Sequence, residues 1–235
     1  MKLDTGPASS VIAISADLAG SRKAKNRTQL AEKIEHVIAG LTEPFAAHWL
    51  APPMLTRGLD ELSAAMDSLL PVFDFGVALN EALWPHRFRF GVGVGLVDIG
   101  LETRVATRLD GTAFHLAAEA LAEARRMHRP LIIKHPAADP VLVLSLEALA
   151  EAHAALVEGW TPAAARHVPL MRSFGHQVSV AATMGVSQQV VSRTLGRARY
   201  RTLCNIETAA NQIIASRLVD DDKAPPDELQ APLTS

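Results

Sequence analysis

"VIAISADLAGSRKAKNR", residues 11–27, sets a short run of core-type residues against one carboxylate, Asp17, and follows it with a glycine and several cations. Val11 to Ala16 is short and rich in β-formers, so its spacing predicts a strand that ends at Asp17. The next stretch, "NRTQLAEKIEHVIAGL" (26–41), places Leu30, Ile34, Val37, Ile38 and Leu41 at helical spacing, with Asn26 and Gln29 as a start and Gly40 as a stop. A strand, a charged turn and a helix therefore open the domain. Asp17 is either a ligand-binding carboxylate or a structural one, capping the helix near Asn26 or pairing with Arg22 or Lys23.

Working outward, "HWLAPPMLTRG" (48–58) is extended, and its paired prolines suit a sheet edge. "DELSAAMDSLLPVFDFGVALNEAL" (60–83) is predicted helical with a break at Pro71. "FRFGVGVGLVDIG" (88–100) alternates Phe88, Phe90, Val92, Val94 and Leu96 with Arg89, Gly91, Gly93 and Gly95, a strand whose glycine face admits something bulky, a crossing helix before a ligand. Asp110 and Gly111 form a turn into the helix "DGTAFHLAAEALAEARR" (110–126), and "PLIIKH" (130–135) is a last strand. The order β, α, β, α, β, α, β predicts a mixed α+β or α/β layer structure over residues 10–136, after an arm of residues 1–9.

From Pro140 onward no strand pattern recurs, so residues 137–218 are expected to be all helical. "LSLEALAEAHAALVEGW" (144–160) is amphipathic, and Thr161 with Pro162 restarts a second helix. Residues 219–235 are acidic and proline-bearing, an expected disordered tail. The chain has 235 residues and a net charge of -2, enough for two small cores and uninformative about partners. One cysteine, Cys204, excludes an internal disulfide and points to a reducing cytoplasm. No run reaches the roughly 18 apolar residues of a membrane helix, so no membrane partner is expected. Histidines 86, 115, 128, 135, 153, 167 and 176 have no i, i+4 pair, which argues against a zinc site.

"QVSVAATMGVSQQVVSRTLGRAR" (177–199) has the spacing of a helix-turn-helix. Ala181 allows close helix crossing, Gly185 follows at the turn, Val191 makes the second contact, and Val180, Met184 and Val186 fill the wedge. Ser187 is the expected N-cap, Val191, Leu195 and Ala198 form the inward stripe, and Arg193, Arg197 and Arg201 recur at i, i+4 and i+8 outside. Ser187, Gln188, Gln189 and Ser192 are placed to meet bases of double-stranded DNA, and a homodimer is expected because one such module binds weakly. A plain helical hairpin with a solvated arginine face is the alternative. The helix that follows, "RTLCNIETAANQIIASRL" (201–218), either dimerises or covers the module.

In this order, "ISADLAGSR", "GLDEL", "RFGVGVG" and "DGTAFHLAAEALAEA" resemble the SatD family of bacterial proteins across residues 10–135, and the carboxy-terminal module resembles that family's longer members. The resemblance implies a ferredoxin-like, nucleotidyl-cyclase-type amino-terminal domain, akin to class III cyclases and the GGDEF domain, followed by an all-α helix-turn-helix domain. In those enzymes a first-strand aspartate and a hairpin carboxylate hold two divalent metals over a nucleoside triphosphate. The matching positions are Asp17, Asp60 and Glu61, with Gly20, Ser21, Arg22 and Lys23 on the phosphate side and Mg²⁺ as the implied ion. The hairpin departs from the family: it reads Leu59, Asp60, Glu61, Leu62, Ser63, with the glycine displaced to Gly58. The expectation is therefore a DNA-binding regulator with a non-catalytic sensing domain; the alternative is a nucleotide- or metal-binding protein or cyclase-like enzyme.

Overall fold

A computed structural model of the chain describes residues 10–20, 26–57 and 61–221. β1 (Val11–Leu18) lies at the centre of a five-stranded sheet, between β3 (Glu61–Met66) and β4 (Phe88–Gly95), antiparallel to both. β2 (Trp49–Arg57) forms one edge beside β3, and β5 (Leu131–Lys134) forms the other, parallel to β4. Pro52 and Pro53 thus fall on an edge strand, where a missing N–H costs least. Helices α1 (Arg27–Thr42), α2 (Leu70–Leu83) and α3 (Thr112–Met127) connect β1 to β2, β3 to β4 and β4 to β5.

Alternation along β1 assigns the two faces. Ile12, Ile14, Ala16 and Leu18 join Phe88, Phe90, Val92 and Val94 of β4 in a core closed by Ile34 of α1 and Phe75 and Leu79 of α2. Val11 and Ala13 turn to the other face and meet Ala113 and Ala117 of α3. That contact explains the glycine series. A Cβ on Gly91 would fall within the backbone of Ala117 and Leu121, and one on Gly93 within that of Ala113 and Ala117. The bulky neighbour is a crossing helix.

Two local expectations are corrected. Residues 61–66 were expected to begin a helix and instead form β3, because Leu62, Ala64 and Met66 pack into the core while Ala65 is buried on the opposite face. Helix-forming Ala, Leu, Glu and Met are overridden there by burial on both sides, which small residues permit between two strands. Gly40 does not end α1, which runs on to Thr42; Asn26 does cap its start, accepting from the Gln29 N–H at 3.2 Å.

Beyond the sheet, α4 (Pro140–Glu158), α5 (Pro162–Phe174), α6 (Gln177–Met184), α7 (Gln188–Arg197) and α8 (Tyr200–Asp221) follow without a strand. Thr161 Oγ1 caps α5 by accepting from the Ala164 N–H at 3.2 Å. Val157, Trp160, Val168, Val180, Val191, Leu195 and Leu203 build a second core. Leu146 of α4 with Ala210 and Ile214 of α8 belong to the sheet's core instead, so α8 covers both cores through its length. By length and composition alone α4 is long and apolar enough to cross a membrane, which corrects the expectation that no segment qualifies. It packs on protein here: buried Glu147 accepts from the Ile133 N–H of β5 and from Arg129, both at 2.8 Å.

Candidate functional site

Three groupings of functional side chains emerge, the first at the strand end where Asp17 sits. Asp17 of β1 is in register with Glu61 of β3 on one side and Arg89 of β4 on the other. The last turn of α3 brings Arg125 between the two acids: its Nε lies 2.9 Å from Asp17 Oδ2 and its Nη2 lies 2.9 Å from Glu61 Oε1. Burial works to lower the Arg125 pKa, but the hydrogen bonds and charges of Glu61 and Asp17 outweigh it and raise the value. Asp17 is thus paired with a cation that sequence spacing did not suggest. Its second oxygen, Oδ1, is buried without a hydrogen-bond partner among the described residues.

Of the expected phosphate positions, Gly20 is described, with φ +73 in the left-handed region and, among the described residues, nothing within 4 Å of where a Cβ would be. Ser21, Arg22, Lys23 and Asp60 lie outside the described residues. The acids that are described converge on a guanidinium, which already supplies the positive charge a divalent ion would bring. Asp17 and Glu61, the described members of the carboxylate set, are both ion-paired to Arg125.

The second grouping is α6 and α7. Gly185 turns the chain at φ +63, and Ser187 Oγ accepts from the Val190 N–H at 3.4 Å at the start of α7. Val180, Ala181, Val191 and Leu195 are buried, with Val168 of α5 beneath them. Gln188, Gln189, Ser192, Arg193 and Arg197 are exposed on the outer side, and Gln177, Gln188, Gln189, Ser192 and Arg193 line a shallow polar groove. Two expectations fail here. Val186 is exposed at the turn rather than wedged between the helices. Arg201 does not continue the stripe, because α7 ends at Arg197, Arg199 adopts φ +57, and Arg201 stands on α8.

The third grouping was invisible to spacing. Arg172 of α5 donates to Glu81 of α2 from Nε at 2.8 Å and Nη2 at 2.7 Å, and to Glu207 of α8 from Nη1 at 2.8 Å and Nη2 at 2.7 Å. His153 of α4 joins it, with Nε2 at 3.1 Å from Glu207 Oε1 and 3.8 Å from Glu81 Oε1. Burial tends to push Glu207 up, but hydrogen bonds from His153 and Arg172 and the Arg172 charge bring it down to about 2. Glu81 is more deeply buried and farther from His153, so desolvation wins and its pKa is raised despite Arg172. Glu81, His153 and Glu207 have ligand atoms within 4.8 Å of one another, the arrangement a metal would need, but Arg172 already makes four hydrogen bonds to the two acids. The one legible signal was Glu81, an acid inside the apolar run "LPVFDFGVALNEAL".

The fold and these groupings define the class first: a mixed α+β domain with a five-stranded sheet, followed by a helical region. The chain belongs to the SatD family, whose model matches residues 11–128. No curated protein matches it. Among solved structures it is similar to a bacterial light-regulated adenylyl cyclase, at 12% identity and a TM-score of 0.38, covering 55% of this chain and 77% of that one. It is also similar to a regulator of polyketide synthase expression from Bifidobacterium adolescentis, at 15% identity and a TM-score of 0.23, covering 90% and 87%. Neither likeness is close enough to define the fold.

Proposed function

We propose that the protein is a DNA-binding regulator in which α6 and α7 form a helix-turn-helix and the sheet domain is a non-catalytic, ferredoxin-like relative of the nucleotidyl cyclases. One observation carries the DNA reading: a capped helix, α7, held on a buried apolar core, presents two glutamines, a serine and two arginines outward together. Exposed arginines neutralise phosphates and read guanine edges, while Gln and Ser at a helix start reach bases in the major groove. Arg201, on the neighbouring α8, is left to contact the backbone. Binding as a homodimer doubles the contacts that one short helix makes.

A gel-shift titration against DNA upstream of the protein's own gene tests this. The affinity is expected to fall steeply as salt rises, and Arg193→Ala and Arg197→Ala are each expected to reduce the slope of log affinity against log salt by about 1. Unchanged affinity in the double variant would remove α7 from the interface.

The cyclase relation is supported by the strand sequence β1, β2, β3, β4 lying in the order 2-3-1-4, with β1 antiparallel to both neighbours. With Arg125 bridging Asp17 and Glu61, calorimetry with Mg²⁺ and each nucleoside triphosphate is expected to give no heat. Heat that Asp17→Asn abolishes would instead make this end of the sheet a nucleotide site.

A further inference from the structure

Where the sheet's core face meets the helical region there is a cavity of about 420 Å³. Val72 and Val77 of α2, Phe90 and Val92 of β4, Ile133 of β5 and Leu146 of α4 line it, an apolar wall drawn from both halves of the chain. The volume falls within the roughly 300–1,000 Å³ of pockets that take small organic ligands. Gly76 of α2 is part of the lining, and a Cβ there would only touch the Phe90 ring, at 3.7 Å. The wall therefore has room that a side chain at this position would take.

The polar groups around this space are mostly committed. Asn80 accepts from the Phe88 N–H at 2.7 Å and donates to the Phe88 carbonyl at 3.1 Å. Arg87 and Glu158, both among the lining residues, pair with each other at 3.0 Å. Arg89 alternates with Phe88 and Phe90 along β4 and so belongs to the opposite face of the sheet. His153 lines the cavity, is 5% exposed, and pairs through Nε2 with Glu207. With the described polar groups mostly engaged, the lining favours a ligand that is itself largely apolar.

We propose that this cavity is a binding site for a largely apolar small molecule held between the sheet and α4. The site reaches Ala19 and Gly20 at the end of β1 but not α7, and it stands whether or not the protein binds DNA. Its occupant touches the residue that joins α4 to the Arg172 cluster, so it sits where the sheet and helical region are tied together.

N-phenyl-1-naphthylamine, a neutral dye with one N–H that brightens in apolar surroundings, is a direct probe for the full-length protein. Saturable brightening with one dye per chain is expected, and 1-decanol is expected to displace it. Gly76→Leu and Ala150→Leu, placed on facing helices, are each expected to weaken the dye at least tenfold while leaving the circular dichroism spectrum unchanged. No saturable brightening overturns the proposal. Full binding in both folded variants also overturns it, by placing the dye on an outer apolar surface such as Val141 and Leu144 of α4, which are 68% and 61% exposed.

Discussion

Gly93→Ala is expected to destabilise the protein by about 3 kcal/mol, the upper end for an overpacked core, read from urea unfolding. The added methyl has nowhere to go, since it would fall on the backbone of Ala113 and Ala117, and backbone in a helix cannot rotate aside as a side chain can. α3 would have to lift from the sheet, taking with it Ala113, Ala117 and the Arg125 contact to Asp17 and Glu61. Gly91→Ala should behave alike, for the same reason one turn further along α3. Gly40→Ala is the internal contrast. It lies inside α1 with nothing within 4 Å of its Cβ, so the change should stabilise by about 0.5–1 kcal/mol. Equal effects at Gly40 and Gly93 would refute the packing account.

Arg172→Met is the second large effect, expected to destabilise by about 3 kcal/mol because it leaves Glu81 and Glu207 facing each other in a buried site without their shared cation. The cost belongs to the stranded carboxylates, not to the ion pairs as such. Adding Glu81→Leu and Glu207→Leu to Arg172→Met should therefore recover most of the loss, because an apolar cluster of similar volume needs no charge balance.

The pH dependence carries the same signature. Glu207 falls from 4.5 to about 2 on folding, so its stabilising contribution is complete above about pH 4.5 and is lost as pH drops toward 2. Glu81 is shifted the opposite way, so the folded state takes up its proton first and offsets part of that loss on acidification. Arg172→Met removes the Arg172 share of what depresses Glu207, leaving the His153 share, and its stability should fall less between pH 4.5 and 2 than that of the unaltered protein. A parallel fall in both would show that Arg172 does not set the Glu207 titration.

Much of the sheet domain was legible because its signals are local. β1, β4 and α3 follow from alternation and helical spacing, and the proline pair on β2 did mark an edge. β3 was not legible: its segment is made of helix formers, and only being sandwiched between β1 and β2 makes Leu62, Ala64 and Met66 a strand face. At the candidate site, position was legible and partnership was not. Asp17 was expected at a strand end, but its cation comes from Arg125, 108 positions later in the numbering of the same ion pair's residues, on a helix whose basic last turn looks like solvated charge.

The sequence alone determined the parts that depend on neighbours along the chain: the central strand carrying Asp17 near its end, the glycine face of β4, the caps at Asn26, Thr161 and Ser187, and the outward polar face of α7. Tertiary structure decided what those parts meet. It chose a helix rather than a ligand for Gly91 and Gly93, drew Glu81, His153, Arg172 and Glu207 from four helices into one cluster, and left an apolar cavity between the sheet and α4. The physical reason is separation along the chain: hydrogen bonding and periodicity act over a few residues, whereas ion pairing and packing act between residues that only folding brings within about 4 Å.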